Sequence, residues 1–166
     1  MSRPATRKGL PERRDARRPR KLDANPALSS VAARFAGIQY EGSPKHKRHP
    51  HLFGLEPFRG ERGDETLCDE LAGWKPADTA RVPALFDRAK RASLVGSLLW
   101  TVDDNGWIYE LQMTNAGHNQ HHGYPVLPTD PFALLLVRRF AVWAGGHGTR
   151  ADKQAAENCK LLYDAG

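Results

Sequence analysis

The strongest constraint on how this chain folds is local. Residues 97–103 and 107–114 are two β-prone runs flanking Asp104-Asn105-Gly106. An Asn-Gly pair between such runs is the strongest short-range signal for a β-hairpin, because the turn needs left-handed backbone that Asn and Gly adopt readily. In the second run Trp107, Tyr109, Leu111 and Met113 alternate with Ile108, Glu110, Gln112 and Thr114, so one face of the hairpin is apolar and the other mostly polar. After the turn at Asn115-Ala116-Gly117, residues 120–126 supply a third strand that ends before Pro128 and Pro131.

Around this hairpin the period becomes helical. Val82, Leu85, Phe86 and Ala89 fall at i, i+3, i+4 and i+7, one buried stripe of a helix. Residues 132–143 read as a buried helix closed by Gly145-Gly146, and Thr149 with Asp152 forms a capping pair for a last helix through Tyr163. Upstream, Asn25 as N-cap and Pro26 as first helical residue open a short Ala-rich helix over 27–36, ended by Gly37. The fold expected is α+β: N-terminal helices, a small antiparallel sheet built on a central β-hairpin, and C-terminal helices, in a single compact domain over 25–166.

Charge sets the boundary of that domain. Residues 1–21 hold nine Lys+Arg and two Asp+Glu, a net of +7, which leaves 16 basic and 17 acidic residues, a net of −1, in the remainder. The segment 1–24 is therefore expected to be a disordered basic tail, too poor in apolar side chains to offset the entropy of ordering. No run approaches the roughly 20 apolar residues of a membrane span, and the N-terminus lacks the apolar stretch of a secretory signal. Cys68 and Cys159 are the only cysteines, too few for a disulfide scaffold, and both read as reduced thiols. The expectation is a soluble cytoplasmic protein with no membrane contact.

Residues 42–63 are rich in Pro and Gly with no sustained period, and long ordered loops of this kind commonly carry function. Six of the seven histidines lie in two clusters. One is Lys45-His46-Lys47-Arg48-His49-Pro50-His51 in this loop, and the other is His118-Asn119-Gln120-His121-His122-Gly123-Tyr124 after the hairpin. Cleaving RNA without a metal requires a base for the 2′-hydroxyl, an acid for the leaving 5′-oxygen and a cation for the charge growing on phosphorus. Histidine can be either acid or base near neutral pH, and Lys or Arg supplies fixed charge. His46, His122, Lys47 and Tyr124 are the candidate catalytic residues, and Lys45, Arg48, Trp107, Thr114 and Asn115 are candidates for holding the substrate. Which histidine is acid and which is base stays open.

The same residues have plainer readings. A Lys/His/Arg-rich loop also describes a solvated surface or a phosphate-binding patch. Glu110 is either a general base or an exposed strand carboxylate, Asn115 is already explained as part of a turn, and Trp100 and Trp107 serve either stacking on a base or core packing. His147 reads as a loop residue. For zinc the spacings are wrong, with no Cys-x-x-Cys pair and with His46, His49 and His51 in a proline-broken loop, so no metal and no cofactor are expected. Cys68 sits among acids that disfavour a thiolate, so it reads as buried rather than nucleophilic.

Ser43-Pro44-Lys45-His46-Lys47, then Leu67-Cys68, then His122-Gly123-Tyr124-Pro125 follow one another in an order that resembles a group of small, largely uncharacterised bacterial proteins, over roughly residues 40–143. More distantly, the Lys/His segment running into Phe53-Gly54 is similar to that of colicin D-type anticodon nucleases, in the barnase, EndoU, colicin and RelE superfamily of metal-independent ribonucleases. Leu52 stands where those nucleases have Asp, and the segment aligns on either His46 or His49. The resemblance implies an α+β fold, a toxin or antiphage endoribonuclease acting on tRNA or mRNA, and a cognate inhibitor or immunity protein as partner. The alternatives from other classes are a non-catalytic nucleic-acid-binding or adaptor protein, and a subunit of a bacterial defence or mobile-element assembly.

Overall fold

The computed structural model describes residues 20–61, 66–115 and 118–163. Its centre is the expected hairpin: β2 (Leu99–Val102) pairs antiparallel with β3 (Ile108–Asn115), with Val102 opposite Ile108. The connection is wider than a two-residue turn, because Asp103 organises it. Its Oδ1 accepts from the backbone N–H of Asn105 and of Trp107, both at 2.9 Å. Gly106 adopts φ 93°, and a Cβ there would lie 2.5 Å from the backbone of Asn158 and Cys159. A bare glycine thus lets the turn rest directly on the last helix.

β4 (Gln120–Pro125) pairs antiparallel with β3, as its sequence predicts. A fourth strand was not expected. β1 (Gln39–Tyr40) lies parallel to β4, with Gln39 opposite Gln120 and Tyr40 opposite His121, giving the order β1-β4-β3-β2. The sheet is therefore mixed rather than wholly antiparallel, and two residues are too few to show a period. Beyond His121 the outer edge of β4 is finished by side chains. The Thr66 hydroxyl donates to Pro125 O at 2.6 Å and the Cys68 thiol to Gly123 O at 3.4 Å, satisfying carbonyls that a further strand would otherwise bond. Cys68 opens the one-turn helix α2 (Cys68–Leu71).

The other helices are α1 (Leu28–Arg34), α3 (Val82–Arg91), α4 (Pro131–His147) and α5 (Arg150–Leu162). α1 starts later than its sequence suggests, with Ala27 rather than Asn25 at the N-cap. α4 runs on through Gly145-Gly146, neither of which takes left-handed backbone, and its C-cap is Gly148. α5 opens with the expected capping box of Thr149 and Asp152. Helices cover both faces of the sheet. Trp100, Val102 and Ile108 pack with Leu136, Phe140 and Cys159 of α4 and α5, and Leu99, Tyr109 and Leu111 pack on the other side with Leu85, Phe86 and Ala89 of α3. Among the described residues no helix is long and apolar enough to cross a membrane.

Most of the segment expected to be a disordered tail lies outside the described residues. Its last part, residues 20–24, is built into the fold instead. Ser97 N–H donates to Lys21 O and Asp23 N–H to Val95 O, both at 2.9 Å. A Cβ on Gly96 would meet Lys21 O at 1.7 Å, so this docking depends on the glycine. Leu22 joins the core of α4 and α5, a gain in apolar burial that the surrounding charges hide in the sequence.

Candidate functional site

The α4/α5 face of the sheet is covered along β2 and the start of β3. Farther along, the side chains of Glu110, Gln112 and Thr114 on β3 meet those of Tyr124 and His122 on β4, with Glu110 opposite Tyr124 and Gln112 opposite His122. A three-residue 3₁₀ turn, Pro44–His46, lays the imidazole of His46 across them. Its ring stacks on Tyr124 at 4.7 Å and on His122 at 5.3 Å between centroids, tilted by 22° and 21°. The two histidine clusters of the sequence do meet, through these two residues.

Both imidazoles are held by the same atom. His46 Nδ1 lies 3.2 Å from Thr66 O. A carbonyl only accepts, so Nδ1 carries the proton and Nε2 the lone pair. His122 Nδ1 bonds Thr114 Oγ1 at 2.6 Å. Neither Nε2 has a hydrogen-bond partner among the described residues. Burial pushes His46 down to about 4, helped by His122, Lys47 and Lys45 against the opposing bond to Thr66 O. Burial also pushes His122 down to about 4, with His121, Lys45 and Lys47 adding to it. Both rings are thus neutral bases at pH 7 in surroundings that repel a proton and attract an anion.

Tyr124 is anchored from beneath. Its hydroxyl donates to Glu110 Oε1 and accepts from Gln112 Nε2 at 2.7 Å. Glu110 is fully buried and also accepts from Trp100 Nε1 at 3.1 Å and from Arg20 at 3.3 Å, and Arg20 bridges on to Asp130 at 2.7 Å. Such a carboxylate, enclosed and satisfied on both oxygens, fixes the tyrosine instead of meeting solvent. Its burial corrects the expectation of an exposed strand carboxylate: Ile108, on the same face, is itself in the core, so this face is enclosed at its start.

The remaining candidates separate. Lys45 is exposed beside the two imidazoles, where it can meet an anion. Lys47 is 2% exposed, with Nζ 5.1 Å from the centroid of Phe53 and a hydrogen bond to Cys68, so it is not presented to a substrate at Nε2 of either histidine. Arg48 is drawn to α2, pairing with Glu70 at 2.6 Å and giving its backbone N–H to Asp69 at 2.8 Å. Trp107 sits at the turn end of β3, packed against both cores and edge-on to Tyr163 at 6.2 Å. It is a core residue, because the wider hairpin loop folds it back onto α5. Thr114 is in the site, orienting His122, and Asn115 ends β3 opposite Gln120 with its side chain outside the described residues. His49 and His51 stay exposed and face each other at 6.0 Å. His147 ends α4 rather than lying in a loop.

The residues that sequence reasoning missed are Thr66, Gln112 and Arg20, which position the rings but carry no motif. Among the described residues no group of three His, Cys, Asp or Glu side chains is placed to hold a metal ion. Burial pushes the Cys68 thiol above its usual range despite Lys47 beside it. No protein-family model, curated protein or solved structure matches the chain.

Proposed function

We propose that the protein is a metal-independent endoribonuclease in which His46 and His122 form the acid–base pair. The observation that carries this reading is their arrangement: two adjacent imidazoles, each tied at Nδ1, each with Nε2 unengaged among the described residues, beside an exposed lysine. In the reaction one neutral Nε2 takes the proton of a ribose 2′-hydroxyl. The oxygen attacks phosphorus, the P–O5′ bond breaks, and the other imidazole, protonated, gives its proton to O5′. The products are a 2′,3′-cyclic phosphate and a 5′-hydroxyl. Lys45 holds the phosphate, and Tyr124 is a positioning residue that supports the His46 ring. A bound phosphodiester supplies the anion that restores the protonated imidazole the acid step needs.

The test is incubation of the purified full chain with tRNA and mRNA in the presence of EDTA. Cleavage leaving 2′,3′-cyclic phosphate ends is expected, and His46→Gln should slow it by about 10²- to 10⁴-fold while melting as the parent does. Intact RNA with the parent protein overturns the reading. Steeply salt-dependent RNA binding without product would favour the non-catalytic alternative, and action as a toxin or in phage defence then becomes a question for the host.

A further inference from the structure

Residues 20–24 are seated on the fold by a short set of contacts. Lys21 N–H donates to Ser97 Oγ at 3.0 Å, and Lys21 O accepts from Ser97 N–H at 2.9 Å. Leu22 is the apolar anchor, and Arg139 of α4 holds the far end by donating to Asp23 O at 2.7 Å and Ala24 O at 3.1 Å. Seated in this way, the segment lays Arg20 between two buried carboxylates. Its Nη1 meets Glu110 Oε2 at 3.3 Å, its Nη2 meets Asp130 Oδ1 at 2.7 Å, and its guanidinium lies 4.8 Å from the centroid of the Phe132 ring.

Two carboxylates within reach of one guanidinium are held by the charge between them. Without that cation they face each other as like charges out of water, and one must take up a proton or swing aside. Glu110 is the more enclosed of the two. Its other oxygen accepts from the Tyr124 hydroxyl, and the Tyr124 ring carries His46, so a change at Glu110 reaches the imidazoles. We propose that residues 20–24 are a latch on the histidine site: seated, they hold Glu110 and Tyr124 in order, and lifted, they withdraw Arg20 and the site loses its order. The proposal rests on the nuclease reading and adds that the N-terminal segment regulates that activity. The seat is shallow, one apolar side chain and a few backbone bonds, so it can open without unfolding the sheet.

The test compares two full-chain variants. Gly96→Ala lifts the segment without altering any residue of the site, because its Cβ would lie 1.7 Å from Lys21 O. Arg20→Gly leaves the seat intact and removes the guanidinium. Each should lower kcat for RNA cleavage by about 10- to 100-fold with KM little changed, and the double variant should lose no more than either alone. Methylguanidinium, which fits the space left by the side chain, should restore Arg20→Gly toward the parent. Losses that multiply in the double variant, or Arg20→Gly with the kcat of the parent, overturn the latch. A second readout needs no RNA. The His46 ring, followed by NMR, titrates near 4 in the parent, and its midpoint should rise in both variants and return in Arg20→Gly with methylguanidinium. If the parent leaves RNA intact while the midpoint moves in this way, the nuclease reading fails and the latch stands. A midpoint unmoved in Arg20→Gly overturns the latch whether or not RNA is cut, and that outcome holds even where Gly96→Ala does not fold.

Discussion

Two buried polar networks lie in this molecule, and they are built to opposite ends. In the first, Arg88 donates to Asp152 at 2.7 Å, to Val102 O at 2.8 Å and to Asp104 at 2.9 Å, while Arg91 and Thr149 complete the shell of Asp152. Every charge meets its opposite, and α3, the hairpin and α5 are locked together. In the second, Glu110, Tyr124 and Gln112 satisfy one another, and the Tyr124 ring so fixed stacks on His46, beside His122; these two imidazoles are tied separately to Thr66 and Thr114, and their outward nitrogens bond nothing among the described residues. Complete pairing holds a fold in place. Pairing that stops one atom short leaves a reactive group held in position.

Removing a partner from the closed network should have the largest effect on the fold. Asp152→Ala leaves Arg88 buried opposite no carboxylate on α5, and should lower unfolding stability by about 3–5 kcal/mol in urea denaturation. A loss below about 1 kcal/mol would mean that the network contributes no more than a surface pair. The second network should answer to pH. With both imidazoles near 4 in the free protein, the state with one proton between them is greatest near pH 4. On the nuclease reading, kcat/KM should fall about tenfold per pH unit above 5. The optimum of kcat should lie higher, since bound phosphate raises both groups. A kcat/KM optimum at or above pH 7 would contradict this.

The two networks should also part in acid. A histidine whose folded pKa is depressed stabilises the protein above its unfolded value and loses that contribution as pH falls toward the folded one. His46 and His122 therefore withdraw stability between about pH 6.5 and 4. Asp152 is held well below the usual carboxylate range despite its burial, by bonds from Arg91, Thr149 and Arg88. Its contribution persists through that window and is lost only in stronger acid. Unfolding at pH 7 and 4.5 should differ by about 1–3 kcal/mol for each of the two imidazoles, and His46→Gln should shrink the difference, whereas an unchanged slope would place the imidazoles in more solvent than the structure does. The smallest effect on binding belongs to Lys45→Ala, which should reduce the salt slope of RNA binding by about 0.7 to 0.9.

The elements that show in the sequence are those whose physics is local. The hairpin follows from Asn105-Gly106, α5 from the capping pair Thr149 and Asp152, and α3 from its apolar stripe. β1 could not be read, since two residues show no period, and neither could the finish of the β4 edge, which rests on Thr66 and Cys68 reaching across the fold. In the site, the meeting of His46 with His122 and Tyr124 was legible as a coincidence of residue types. The burial of Glu110 was not, because alternation tells which side of a strand a residue takes and says nothing of what covers that side. Lys45 and Lys47 look alike in a basic run, and a single 3₁₀ turn sends one to solvent and the other inside.

The side-chain finish of β4 has a consequence for how copies of this chain meet one another. An unprotected strand edge is a template on which a second molecule can add its own strand and begin a fibre. Here β1 covers the edge only at Gln120 and His121, and from there a hydroxyl and a thiol occupy the carbonyls of Pro125 and Gly123. That half of the strand is thus closed by the segment that leads into α2, seated through two buried side chains of which one is a thiol, so a second copy could add a strand there only after this segment had been lifted away.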